Sequence, residues 1–138
     1  MLNIPGAGRY PGIELRETDR MPLQGLFLNA KDRRDLASGD VFFKAGDAGD
    51  EMFGVISGMI ELRRDDQVLA RIGPGGTFGE MAIIDRAPRA LTAVATERSE
   101  IAVIPRSMFL FLVTETPMFA IQVMQSLASR IRELDDRV

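Results

Sequence analysis

The chain contains no cysteine and no histidine. The first absence excludes disulfides, zinc–thiolate sites, iron–sulfur clusters and thiol catalysis. The second removes the commonest general base and the commonest transition-metal ligand. Lysine occurs only at Lys31 and Lys44, so nearly all positive charge is arginine. Arginine suits planar, bidentate recognition of anions, although a genomic compositional bias would produce the same excess. There is no Gly-Lys-Ser/Thr run and hence no P-loop. Gly73, Gly75 and Gly79 miss the dinucleotide fingerprint spacing. No stretch reaches the roughly 18 apolar residues of a membrane span. The opening MLNIPGAGRYPG lacks the basic-then-apolar layout of a signal peptide. A soluble cytoplasmic protein that touches neither membrane nor nucleic acid is expected, since a net charge of −3 offers no basic face.

What is present fits one domain of 138 residues, long enough to bury a core. Residues 1–38 read as an irregular arm, rich in glycine and proline at its start. Within it, the spacing of Leu23, Leu26 and Phe27 predicts one short helix. From Gly39 the texture changes. Val41 to Phe43, Met52 to Ile56, Met59 to Arg63, Val68 to Ile72, Leu91 to Ala95 and Ile101 to Ile104 are short β-prone runs. Turns rich in Gly, Asp and Pro separate several of them, which points to a small barrel or jelly roll. Pro105 to Val113 reads as a helix, and a second begins at Pro117 with Thr116 as its N-cap. Along the latter, Ala120, Met124, Leu127, Ile131, Leu134 and Val138 step by 4, 3, 4, 3 and 4. Such a heptad seam serves either to pack the helix on its own domain or to pair it with a twin.

The chemistry concentrates in GPGGTFGEMAIIDRAPRALTAVA, from Gly73 to Ala95. Gly79-Glu80 opens a short apolar run, and Arg89 follows nine residues after the glutamate. A short helix starting after Gly79 would turn unpaired N–H groups toward an anion. Arginine would add a charge-assisted bond, and glycine permits close backbone approach. Glu80 alone would repel an anion, so its presence calls for a hydroxyl on the same ligand. Taken singly, Glu80 and Arg89 could instead be an ion pair closing a loop, and Gly79 an ordinary turn glycine.

The order Phe78-Gly79-Glu80-Met81-Ala82-Ile83-Ile84, then Pro88-Arg89-Ala90, resembles the cyclic nucleotide-binding domain family, as does GDVFFKAGDAGDEMFGVISGMIEL from Gly39 to Leu62. The resemblance spans roughly residues 39–134. It implies a mainly β fold with flanking helices: an eight-stranded β-roll (jelly roll) over 39–138 that ends in C-terminal helices. It also implies a non-enzymatic sensor module. Its ligand-binding residues would be Gly79, Glu80, Met81, Ala82, Arg89, Ala90, Leu91 and Leu69. Glu80 would take the ribose 2′-hydroxyl, Arg89 and the Ala82 and Ala90 amides the cyclic phosphate, and Leu69 would touch the base or simply fill the core. Ala90 stands where members preferring cyclic GMP often carry threonine, so cyclic AMP is expected before cyclic GMP. No cofactor or metal is expected; cupin-like enzymes share the roll but hold their metal with histidines.

Leu91 departs from the family pattern, and would either crowd the pocket or point into the core. Arg130 and Arg132 are the candidates for an adenine lid, with solvated surface arginines as the alternative. No helix-turn-helix segment follows the last helix, so a stand-alone sensor, or one excised from a larger protein, is expected. Its output would run through the terminal helix, with a homodimer through that helix and an unidentified downstream protein as partners. The competing expectation is a roll that has lost its nucleotide and serves as an interaction module.

Overall fold

The computed structural model describes residues 23–136. The expectations for the arm's first 22 residues and for Val138 therefore lie outside the described residues. The order is α1 Leu23–Leu28, β1 Arg33–Leu36, β2 Val41–Phe43, β3 Glu51–Ser57, β4 Ile60–Arg64, β5 Gln67–Ile72, β6 Thr77–Phe78, α2 Met81–Ile84, β7 Thr92–Ala95, β8 Ser99–Pro105, α3 Arg106–Glu115 and α4 Pro117–Asp136. The eight strands form two antiparallel sheets, ordered β1-β8-β3-β6 and β2-β7-β4-β5. This is the expected roll closed by C-terminal helices.

The long apolar runs in β3 and β8 follow from burial on both faces. Phe53, Val55, Ile101 and Val103 point between the sheets, where they meet Phe78, Leu62 and Ala93. Their alternate neighbours Met52, Ile56, Ala102 and Ile104 point outward, under Phe27, Leu112, Phe119 and Val123 of the helices. Gly54 sits on that outer face because the Phe27 ring lies on it: a Cβ there would fall 2.4 Å from the ring.

Two elements differ from the sequence reading. The roll begins at Arg33, before Gly39: β1 pairs with β8 from Arg33↔Ala102 to Leu36↔Ser99. Its Arg-Arg-Asp-Leu sequence carries no apolar alternation because it is an exposed edge, where charge is an asset. The terminal helix also divides its seam. It packs on the roll through Phe119, Val123 and Leu127, while Met124 and Ile131 are 54% and 59% exposed. The outward stripe therefore runs through Ile121, Met124 and Ile131. Among the described residues, no single helix is long and apolar enough to cross a membrane.

Candidate functional site

The cassette between β6 and β7 is built by local geometry. Phe78 is fully buried and anchors its start. Gly79 then takes φ +79°, and a Cβ on it would lie 2.9 Å from both Arg89 Nη1 and the Phe53 ring. Only glycine fits both conditions. Glu80 is the N-cap of α2, yet its carboxylate makes no capping bond. Ala82 and Ile83 are buried, and Met81 and Ile84 face outward. The return passes through Arg86, at φ 56°, with the Ala87 amide donating to Asp85 Oδ1. Arg89 is then fixed by its backbone: its N–H donates to Asp47 O at 2.8 Å, and its carbonyl accepts from the Gly46 amide at 2.7 Å. The glycine-rich turn before β3 thus clamps the arginine.

Arg89 is 7% exposed and, among the described residues, forms no ion pair. Its Nη1 donates to Gly79 O at 3.0 Å. The guanidinium lies 4.6 Å from the Phe43 ring centroid and 5.1 Å from that of Phe53. Burial pushes it below its ordinary pKa, while the carboxylates of Glu51, Asp50, Asp47 and Glu80 act the other way. No backbone carbonyl accepts from the Ala82 or Ala90 amide among the described residues. A buried cation beside amides that make no backbone hydrogen bond among the described residues has the chemistry to receive an anion.

Glu80 is 0% exposed. The Arg130 Nη1 group of α4 donates to its Oε1, and Arg130 Nη2 donates to Thr77 O. A third bond, from Nη2 to Ser126 Oγ at 3.1 Å, holds the guanidinium against its own helix. Among the described residues, Glu80 Oε2 and Arg130 Nε are buried without a hydrogen-bond partner. The carboxylate therefore spends one oxygen on α4 and keeps the other as a buried acceptor without a hydrogen bond.

Gly79, Glu80, Met81, Ala82, Arg89, Ala90 and Leu91 line one cleft, together with Phe43, Leu62, Pro88 and Arg130. Leu69 does not line it; it is buried at the β-bulge between β4 and β5. Leu91 both lines the cleft and packs, half-buried, on the cluster between the sheets. The sequence offers Arg130 as a lid over a base or as a solvated surface arginine, and the structure shows it partly buried and paired with Glu80 instead. Its partnership with Glu80, 50 residues away, had no local signal. Arg132 is exposed. Among the described residues no group of acidic side chains is placed to hold a metal.

The family model described as cyclic nucleotide-binding domain matches residues 33–116. The cyclic AMP receptor protein of Thermus thermophilus is 33% identical over 137 residues, covering 96% of this chain and 61% of that protein. The lysophospholipase nte1 of Neurospora crassa is 29% identical over 138 residues, 93% of this chain but 9% of the enzyme. The crystal structure of a cyclic nucleotide-binding domain from Methylobacillus flagellatus superposes with a TM-score of 0.67 at 28% identity, over 77% of this chain and 65% of that one. The chain thus spans less than two thirds of these curated relatives.

Proposed function

This chain belongs to the cyclic nucleotide-binding domain family, and from that membership and the cleft we propose a non-enzymatic sensor of cyclic AMP, with cyclic GMP as the weaker ligand. The observation that carries the proposal is Arg89, a buried guanidinium with no ion pair among the described residues. In the proposed complex it takes the exocyclic oxygens of the cyclic phosphate, and the Ala82 and Ala90 amides take the remaining acceptors. The ribose 2′-hydroxyl donates to Glu80 Oε2, the oxygen that Arg130 leaves free. Ala90 has no hydroxyl for guanine, which favours adenine.

Output runs through α4. Arg130 joins the ribose-binding carboxylate to that helix, so a ligand that rearranges Glu80 changes how α4 is seated. It can do so only by its differential affinity for the two seatings. The exposed stripe of Ile121, Met124 and Ile131 offers a surface for a second copy. Calorimetric titration with cyclic AMP, cyclic GMP and 5′-AMP tests the proposal. Binding of cyclic AMP ahead of the other two is expected, and silence from both cyclic nucleotides would overturn it.

A further inference from the structure

Arg106 is the first residue of α3, where its sign is wrong. A helix N-terminus is the positive end of the macrodipole and favours acidic side chains, and the first turn of α3 holds none. Its side chain leaves its own helix: Nη1 donates to Ile83 O at 2.6 Å. That carbonyl belongs to the last turn of α2, where backbone acceptors lack intrahelical partners and positive charge is favoured. The placement of Arg106 therefore makes electrostatic sense for the cassette rather than for α3. The Ile83 side chain is tied to the same helices, since it is 1% exposed and shares a cluster with Leu112 of α3, Phe119 and Val123 of α4, and Ile104 of β8.

We propose that Arg106 is a positioning residue for the phosphate cassette. By holding the Ile83 carbonyl it sets the pose of α2, and with it the Ala82 amide one residue before. The inference rests on the nucleotide-sensor reading above and adds a second route out of the site. A nucleotide that shifts α2 pulls on the head of α3 through this bond, independently of the link between Glu80 and Arg130. The bond is charge-assisted and half-buried, so its loss should weaken nucleotide binding by about tenfold. Among the described residues the hydrogen bond of Arg106 to the cassette is to Ile83 O, so the effect must travel by way of α2.

The test uses the full chain as wild type, Arg106→Met and Arg106→Lys. Three readouts are the cyclic AMP dissociation constant, the melting temperature without ligand, and hydrogen exchange of the α3 amides with and without cyclic AMP. The expected result is about tenfold weaker binding in Arg106→Met and loss of the ligand-dependent change in α3 exchange. Arg106→Lys, which keeps the charge and an ammonium donor on an unbranched stem, should recover most of both. A lowered melting temperature with wild-type affinity and a wild-type α3 response would overturn the proposal, leaving Arg106 as a structural strap only. Failure of Arg106→Lys to recover affinity would also overturn it. If the wild-type chain binds neither cyclic nucleotide, the sensor reading falls and this inference with it. Wild-type binding with an indifferent Arg106→Met removes the inference alone.

Discussion

Replacing Arg89 with methionine should separate binding from folding. In the unliganded protein the guanidinium is nearly buried and unpaired among the described residues. It is supported by one hydrogen bond to Gly79 O and by the faces of Phe43 and Phe53. Each ring contact contributes about 0.5–1 kcal/mol and the hydrogen bond about 1.5–3 kcal/mol. Against these stands the cost of desolvating a cation, several kcal/mol after relaxation. Methionine keeps the stem on the rings and removes the charge, so the two sides nearly cancel. The unliganded stability should change by no more than about 1 kcal/mol in either direction. With nucleotide the balance is lost, because a buried charge-assisted pair costs about 2–5 kcal/mol when one member is removed. That corresponds to roughly 30-fold to several thousand-fold weaker binding. Calorimetry gives the affinity, and thermal melts with and without cyclic AMP give the linkage. At a ligand concentration 100 times its dissociation constant the wild type should gain about 2.7 kcal/mol, and the variant almost nothing. A dissociation constant within threefold of wild type would refute the assignment of the phosphate to Arg89. A fall in unliganded stability beyond about 3 kcal/mol would refute the claim that its charge is held for a ligand.

Other consequences can be measured directly. Arg130→Met leaves the fully buried Glu80 without its one side-chain partner among the described residues and should destabilise the fold by about 3–5 kcal/mol. The double variant Glu80→Gln/Arg130→Met should recover much of that loss in a denaturant cycle, and additive effects would deny the coupling. Gly79→Ala must adopt a positive φ and press on Arg89; a stability cost of about 1–3 kcal/mol should come with lost nucleotide binding, and wild-type affinity would contradict the close approach. Glu61 accepts bonds from Arg63 and Arg71, which hold its pKa below the ordinary 4.5. Its folded value is depressed, so its stabilisation is present above about pH 4.5 and is lost as pH falls through the folded value. The melting difference between wild type and Glu61→Gln should therefore shrink on acidification, and a difference that grows would reverse the sign.

The parts of this protein legible in its sequence are those where cause and effect lie close along the chain. Gly79, Glu80 and Arg89 fall within one loop between adjacent elements, so their spacing brings them together almost regardless of the rest. Strands β3 and β8 announced themselves because burial on both faces demands unbroken apolar runs. Strand β1 did not, because an edge strand of charged residues looks like a loop. The helical spacing along α4 was readable, but which residues face the roll was not: Leu127 and Met124 belong to one heptad pattern in sequence and to opposite surroundings in the fold.

Composition and local order alone determined that this chain has no thiol, imidazole or P-loop chemistry, pointed to a small barrel or jelly roll followed by helices, and placed its candidate anion-binding residues between Gly79 and Ala90. Only the tertiary structure decided that Arg89 lacks an ion pair among the described residues, that Glu80 gives one oxygen to Arg130 and keeps the other buried without a hydrogen bond among those residues, and that Arg106 reaches back to Ile83. The reason is physical. A turn or a short helix is set by neighbours in sequence, whereas the partner of a buried charge is whatever side chain the packing of distant helices delivers to it.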